Sequence, residues 1–161
     1  MALQLFPTQV IDRQLFGGLT ESVATLAADL VAPSRHFVLF IAADTRSLAG
    51  SEIYAAAEAA IRAGASYVCC WGPDCSRFHD AFDEADLEMN GESSDDRILM
   101  TTWHENEPLE ETLWFAVHST FPSPFYESST RAVLAVAIGS RAWATQIQTY
   151  LAAGAPLMDE A

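Results

Sequence analysis

The densest group of reactive side-chain types lies in residues 66–80, SYVCCWGPDCSRFHD, which contain three cysteines, two aspartates and a histidine. Thiolates are nucleophiles and zinc ligands, while carboxylates and imidazoles transfer protons, so this segment is the first candidate for chemistry. The run up to Trp71 is apolar and a Gly-Pro turn follows it, which is typical of a buried strand that leads into a helix. A reactive site therefore has to be weighed against a strand, a turn and a helix cap.

Two specific sites can be compared with this segment. Cys70 and Cys75 match part of the phosphate loop of small tyrosine phosphatases, V-C-x-G-N-x-C-R, but six residues instead of five separate Cys70 from Arg77. Pro73 also lacks the N–H group that an anion-binding loop needs. Cys70, Cys75 and His79 have a spacing that suits zinc, but no second ligand pair of the usual spacing exists. The sequence thus predicts neither a phosphatase loop nor a metal site.

The thiol of Cys75 allows a third interpretation, because it lies near the predicted start of a helix, where the dipole lowers a thiol pKa. Asp74 or His104 could assist it as a nucleophile. The helix that follows is acidic, however, whereas a reactive thiol needs an electropositive setting. The favoured interpretation makes Cys69 and Cys70 small core residues of a strand and Asp74 the N-cap of the helix.

The elements that position these residues follow from four apolar runs at 36–43, 66–72, 97–103 and 131–139. The runs are continuous, as in strands buried on both faces, and helical patterns lie between them. Alternating strands and helices predict a three-layer α/β/α fold, Rossmann-like or flavodoxin-like, with a parallel sheet of four strands. The strand order 2-1-3-4 or 3-2-1-4 stays open, and residues 3–11 are expected to add a fifth strand at the edge.

The whole chain, residues 1–161, is predicted to be a single α/β domain. Residues 1–34 form an N-terminal extension, with a helix over 20–32, and residues 152–161 form a C-terminal tail. The apolar runs are far too short to span a membrane, and the N-terminus has no signal-peptide layout. We therefore expect a cytoplasmic protein that does not bind a membrane.

Polar residues follow each of the four predicted strands, where a parallel sheet binds its ligands. The candidate site residues at these strand ends are Asp44, Asp74, Cys75, His104, Glu105 and Arg141. Such residues also cap helices and satisfy turns, and no complete catalytic motif joins them. The sequence therefore assigns no catalytic residue and no cofactor.

The charge distribution is more informative. All eight basic residues are arginine, and 22 acids give a net charge of −14. The absence of lysine excludes Schiff-base chemistry and a lysine-bearing phosphate loop, and the negative charge argues against nucleic acid as a direct ligand. Twelve of the acids fall within residues 80–111. They predict a docking surface for a basic protein partner, centred on Asp80, Asp83 and Glu84; the alternative is a solvated face that keeps the protein soluble.

The run YVCCWGPDCSRFHDAFDEAD, followed by TTWHENEPLEETLWF, resembles a family of small, uncharacterised bacterial α/β proteins over roughly residues 35–140. The resemblance implies no activity, cofactor or catalytic residue. Two function classes therefore stay open. The first, a non-enzymatic interaction or regulatory module that presents the acids of residues 80–111, is favoured because no catalytic motif is complete. The second is a small-molecule-binding protein or hydrolase that uses the strand-end residues Asp44, Cys75, His104 and Arg141.

Overall fold

A computed structural model describes residues 3–91 and 97–156. In these residues six strands form one sheet, in the order β1-β2-β6-β3-β4-β5. The strands are β1 (Gln4–Val10), β2 (Arg13–Thr20), β3 (His36–Ala42), β4 (Ala65–Trp71), β5 (Met100–His104) and β6 (Thr130–Ile138). β1 runs antiparallel to β2, and every other neighbouring pair is parallel.

Helices cover both faces of the sheet, which explains why its central strands are apolar on both sides. A 3₁₀ helix (Val23–Thr25) precedes the α-helices, which are α1 (Leu26–Asp29), α2 (Gly50–Ala63), α3 (Ser76–Asn90), α4 (Leu109–His118), α5 (Pro124–Glu127) and α6 (Arg141–Ala152). The buried side chains of α1, α2 and α3 share one apolar core with one face of the sheet, and those of α4 and α6 share a second core with the other face. The general prediction of an α/β fold is confirmed.

The four predicted strands correspond to β3, β4, β5 and β6, and they lie in the order β5-β4-β3-β6. This is the order 3-2-1-4, one of the two that the sequence left open. The expected edge strand at the N-terminus is confirmed as β1. The predicted number of four or five strands is wrong, however, because β2 is an additional strand between β1 and β6.

The strand β2, RQLFGGLT, escapes detection because its two glycines weaken the strand pattern. One of them has a packing role. A Cβ atom at Gly17 would lie 2.7 Å from Leu151 Cδ1 and 2.9 Å from Ile147 Cγ2, so glycine lets α6 approach the sheet closely. Gly17 therefore weakens the strand pattern in the sequence, but the contact between β2 and α6 requires a residue without a side chain at this position.

The helix predicted over residues 20–32 is much shorter than expected. Thr20 belongs to β2, and only the 3₁₀ helix and the four-residue α1 follow it. The Ser22 N–H donates a hydrogen bond to Thr25 Oγ1, and Thr25 donates in turn to the Ser22 carbonyl oxygen, which starts the segment as a tight turn. Of the predicted C-terminal tail, residues 157–161 lie outside the described residues. In the described parts of the chain, no helix is long and apolar enough to cross a membrane.

Candidate functional site

The carboxyl ends of β4 and β5 open into a cleft of about 350 Å³ beside the start of α6, here called the carboxyl-edge cleft. Its lining residues come from three strand-to-helix connections and are Trp71, Gly72, Pro73, Asp74, His104, Glu105, Asn106, Glu107 and Trp143. Three carboxylates and two indole rings therefore share one concavity. This chemistry suits a ligand that carries positive charge or hydroxyl groups and has a face that can stack on tryptophan.

His104 ends β5, and both of its ring nitrogens are engaged. Nδ1 lies 2.9 Å from Glu107 Oε2, and Nε2 lies 2.9 Å from Thr102 Oγ1. The Thr112 hydroxyl donates a 3.2 Å hydrogen bond to the same carboxylate oxygen. This arrangement fixes the orientation of the ring, because Nδ1–H donates to the carboxylate, which can only accept, while the Thr102 hydroxyl is the partner of Nε2. Proton transfer to a ligand would first require Thr102 to release Nε2.

The two indole rings form one wall of the carboxyl-edge cleft. The rings of Trp71 and Trp143 meet edge to face with centroids 5.0 Å apart, and Trp71 Nε1–H donates a 2.7 Å hydrogen bond to the Glu107 carbonyl oxygen. Trp143 is held in place because Ser140 caps α6 by accepting a 3.2 Å hydrogen bond from the Trp143 N–H. Sequence reasoning missed Trp71, Glu107 and Trp143; the signal in the sequence is a tryptophan at the end of one strand and another in the first turn of the helix that follows a second strand.

Asp74 lines the carboxyl-edge cleft and does not cap α3. Its backbone is left-handed, with φ of 56°, and Cys75 holds the N-cap position with no capping hydrogen bond from its side chain. The Thr45 hydroxyl donates a 2.6 Å hydrogen bond to the Asp74 carbonyl oxygen and stabilises this turn. The predicted N-cap role of Asp74 is therefore wrong. Asn106, also in the cleft lining, has a left-handed φ of 61°.

All three cysteines are buried and reduced, so the strand interpretation of Cys69 and Cys70 is confirmed. Cys70 faces the core beneath α2 and α3, whereas Cys69 faces the opposite core. Burial raises the pKa of Cys69 to about 12 and also raises the pKa of Cys75, so the helix dipole does not produce a thiolate here. In the described residues no three His, Cys, Asp or Glu side chains are grouped to hold a metal ion.

The remaining strand-end candidates lie elsewhere. Asp44 accepts hydrogen bonds of 3.0 and 2.7 Å from the Arg46 guanidinium, which hold the pKa of that carboxyl below its ordinary value. Arg141 is exposed at the start of α6. The cleft therefore brings together Asp74, His104 and Glu105 of the six predicted site residues, while Asp44, Cys75 and Arg141 are not among its lining residues.

The predicted acidic surface lies on α3 beside β5. Asp80, Asp83 and Glu84 are exposed, as the apolar stripe of the helix requires. Asp83 accepts a 2.6 Å hydrogen bond from the Thr101 hydroxyl, which ties α3 to the edge strand. The side chain of Trp103, 52% exposed, packs against His79 with ring centroids 4.5 Å apart.

The acidic segment is only partly covered by the structure. Glu92, Asp95 and Asp96 belong to the segment 80–111 but lie outside the described residues.

Comparison with known proteins places residues 19–154 within one family model, DUF7684, a domain of unknown function. The chain belongs to the DUF7684 family. This confirms the expected resemblance to an uncharacterised family. The DUF7684 match contains the carboxyl-edge cleft and the acidic surface of α3, whereas β1 and most of β2 precede it. A search of curated proteins found no match.

Proposed function

We propose that this DUF7684 protein is a non-enzymatic interaction or regulatory module that binds a basic segment of a partner protein. The binding surface is the acidic edge, defined by Asp80, Asp83 and Glu84 of α3 and Trp103 of β5. The observation that carries the proposal is the position of the exposed Trp103 indole near the exposed carboxylates of Asp80 and Asp83, with Glu84 one turn beyond Asp80 on the side of α3 that faces α2. His79 links them, because its Nδ1 lies 3.0 Å from Asp80 Oδ1 while its ring packs against Trp103.

An arginine or lysine side chain is the group that this edge fits best. An indole face attracts a cation by about 0.5–2 kcal/mol, and adjacent carboxylates add charge-assisted hydrogen bonds. Asp80 also stands three and four residues before Asp83 and Glu84, spacings at which like charges repel by about 0.2–0.5 kcal/mol per pair. A basic partner would offset this repulsion, and the net charge of −14 would speed its approach.

The edge strand β5 adds a backbone surface to these side chains. In the described residues no strand pairs with its outer side, so its backbone groups on that side are open. Unpaired strand edges bind extended segments of other chains, and flanking charges select which chains bind. A second copy of this acidic protein would be repelled, whereas a basic segment would be attracted.

The geometry gives less support to hydrolysis at the strand ends. A hydrolase that uses Cys75 would need an accessible thiolate, and this thiol is buried with a raised pKa. The His104 ring is hydrogen-bonded to Glu107 and Thr102, and its side chain forms no hydrogen bond with the side chain of Cys75. Cys75 and His104 therefore do not form the contacting pair of nucleophile and general base that such a hydrolase needs.

The test compares two double charge reversals in a capture assay from lysate of the native cell, followed by mass spectrometry. Asp80→Arg with Glu84→Arg should abolish capture of a specific basic protein and leave the fold intact. Glu21→Arg with Glu52→Arg is the matched control, because both acids are exposed and the change in net charge is equal. Glu52 lies on the side of α2 that faces α1, away from the acidic edge. Asp83 is left unchanged because it holds Thr101.

Two further measurements sharpen the result. Capture should weaken between about 50 and 300 mM salt, since exposed charges are screened beyond about 8 Å at physiological ionic strength. Trp103→Ala should weaken capture without changing the net charge. If capture survives both the Asp80/Glu84 reversal and high salt, the acidic edge is only solubilising and the proposal fails.

A second candidate function is small-molecule binding in the carboxyl-edge cleft. The observation that favours it is the left-handed backbone of both Asp74 and Asn106, two residues of the cleft lining, because such conformations cluster at ligand sites. We further infer a Rossmann-like winding, because the chain adds β4 and β5 on one side of β3 and then returns to add the parallel strand β6 on the other side. Folds of this kind bind ligands at the carboxyl edge.

A further inference from the structure

Arg13, at the start of β2, is a buried cation without an ion-pair partner. It is only 6% exposed, and it donates 2.8 Å hydrogen bonds from Nη1 to the Thr120 hydroxyl and from Nη2 to the Thr120 carbonyl oxygen. Both acceptors are neutral, and no carboxylate in residues 3–91 or 97–156 forms an ion pair with it. A guanidinium keeps its charge in proteins, and a buried charge is costly unless an opposite charge meets it.

A second arginine, Arg131, lies on the neighbouring strand β6 and lines the same cleft. Gln14 of β2 pairs with Ala132 of β6, so Arg13 and Arg131, each one residue earlier, lie side by side on parallel strands whose backbones are about 4.8 Å apart. Strand alternation directs both toward the face covered by α4 and α6. Arg131 is half-exposed, and its Nη1 lies 3.4 Å from the carboxylate of Asp12, which is mostly in solvent.

These two arginines line a cleft of about 510 Å³ at the amino-terminal end of the sheet, here called the arginine cleft. Its wall includes two large apolar side chains in solvent, Phe121 at 71% exposure and Ile11 at 59%. Ile11 also has a left-handed φ of 57° in the turn between β1 and β2. A β-branched residue in this conformation costs about 1–2 kcal/mol, and hairpin turns of this kind usually contain Asn and Gly. Such strain is typical of ligand sites.

The charges of the arginine cleft select the class of anion. Asp12 and Glu127 also line it, so the two arginines balance two carboxylates. A dianion such as phosphate would be repelled more strongly by these acids than a carboxylate, which carries one negative charge and offers one oxygen to each guanidinium. The exposed rings and aliphatic groups of the wall would contact an apolar ligand body.

We propose that the arginine cleft binds a small organic carboxylate with an apolar body, whose carboxylate meets Arg13 and Arg131 and whose body packs against Phe121 and Ile11. The ligand would supply the opposite charge that Arg13 lacks. This site is independent of the acidic edge, from which it differs in charge and in position on the sheet.

The experiment titrates the full-length protein with benzoate and follows backbone amide shifts by NMR. Benzoate should shift the amides of residues 11–13 and 128–131 saturably, while benzamide, a neutral molecule of the same shape, should not. Inorganic phosphate should bind more weakly than benzoate. Arg131→Gln should weaken benzoate binding on the order of tenfold, because one charge-assisted contact is lost.

Arg141→Gln is the matched control, because Arg141 is an exposed arginine at the opposite edge of the sheet, and its benzoate affinity should equal that of the parent. Three results would overturn the proposal. The first is an equal shift with benzoate and with benzamide, and the second is an equal benzoate affinity of Arg131→Gln and Arg141→Gln. The third is the absence of a saturable shift up to about 10 mM benzoate, a concentration at which only very weak binding escapes detection. Arg13→Lys keeps the charge but removes the fork, so it should fold and also bind benzoate more weakly.

Discussion

Gly72 directly follows β4 in a conformation that other residues rarely adopt, and replacing it by alanine should destabilise the protein markedly. Its φ is +119°, and a Cβ atom there would overlap the carbonyl group of Ala43, lying 3.0 Å from the carbonyl carbon. Carbon atoms normally approach to about 3.5–4.0 Å, so the ends of β3 and β4 would have to separate by roughly 0.5–1 Å. That movement acts directly on the base of the carboxyl-edge cleft.

The expected cost has two parts. The left-handed backbone costs a residue with a Cβ atom about 1–2 kcal/mol. The separation also weakens the 3.0 Å hydrogen bond from the Ala43 N–H to the Trp71 carbonyl oxygen and the 3.2 Å turn bond from the Cys75 N–H to the Gly72 carbonyl oxygen. At about 1 kcal/mol for each hydrogen bond, Gly72→Ala should lower the free energy of unfolding by roughly 3–4 kcal/mol. For a chain of this length this corresponds to a loss of about 6–16 °C in Tm.

Urea unfolding followed by tryptophan fluorescence measures this loss, with two other glycines as controls. Gly139 also has a positive φ, of 70°, but a Cβ atom there would lie 3.5 Å from the nearest atom and would overlap nothing. Gly139→Ala should therefore lower the free energy of unfolding by only about 1–2 kcal/mol. Gly50→Ala meets nothing within 4 Å and should change stability by less than about 1 kcal/mol. If Gly72→Ala and Gly139→Ala are equally destabilised, the overlap with Ala43 contributes nothing and the reasoning is refuted.

Two further predictions concern buried groups. None of the three thiols should react rapidly with a maleimide in the native protein, and rapid labelling of two or more of them would contradict the buried strand. The Cys75→Ser variant should stay folded and keep its binding functions. Burial also raises the pKa of Tyr67 and of Tyr150 to about 12, so the native state keeps protons that the unfolded chain releases near pH 10. Stability from these tyrosines should therefore be complete below about pH 10 and decline between about pH 10 and 12, and the decline should be shallower in Tyr150→Phe. An equal slope in parent and variant would show that the Tyr150 hydroxyl does not contribute.

Much of the architecture could be predicted because it depends on local patterns. The continuous apolar runs of β3, β4 and β6 need burial on both faces, so they predicted a sheet between helical layers and the burial of Cys69 and Cys70. The exposure of Asp80 and Glu84 followed from the apolar stripe of α3 in the same way. These properties depend on the period of the hydrophobic pattern, which neighbouring residues determine.

The candidate sites depend on contacts between residues that are distant in sequence. Trp71 and Trp143 form one cleft wall because the Trp143 ring, in the first turn of α6, reaches the end of β4, which lies beyond β3 in the sheet, and no local signal specifies this contact. Arg13 meets Thr120 across 107 positions of the chain. It stands beside Arg131 only because β2, hidden by its glycines, pairs with β6. Strand order and register result from the packing of the whole sheet, so the sequence by itself identified the side chains but only the tertiary structure decided which of them lie together.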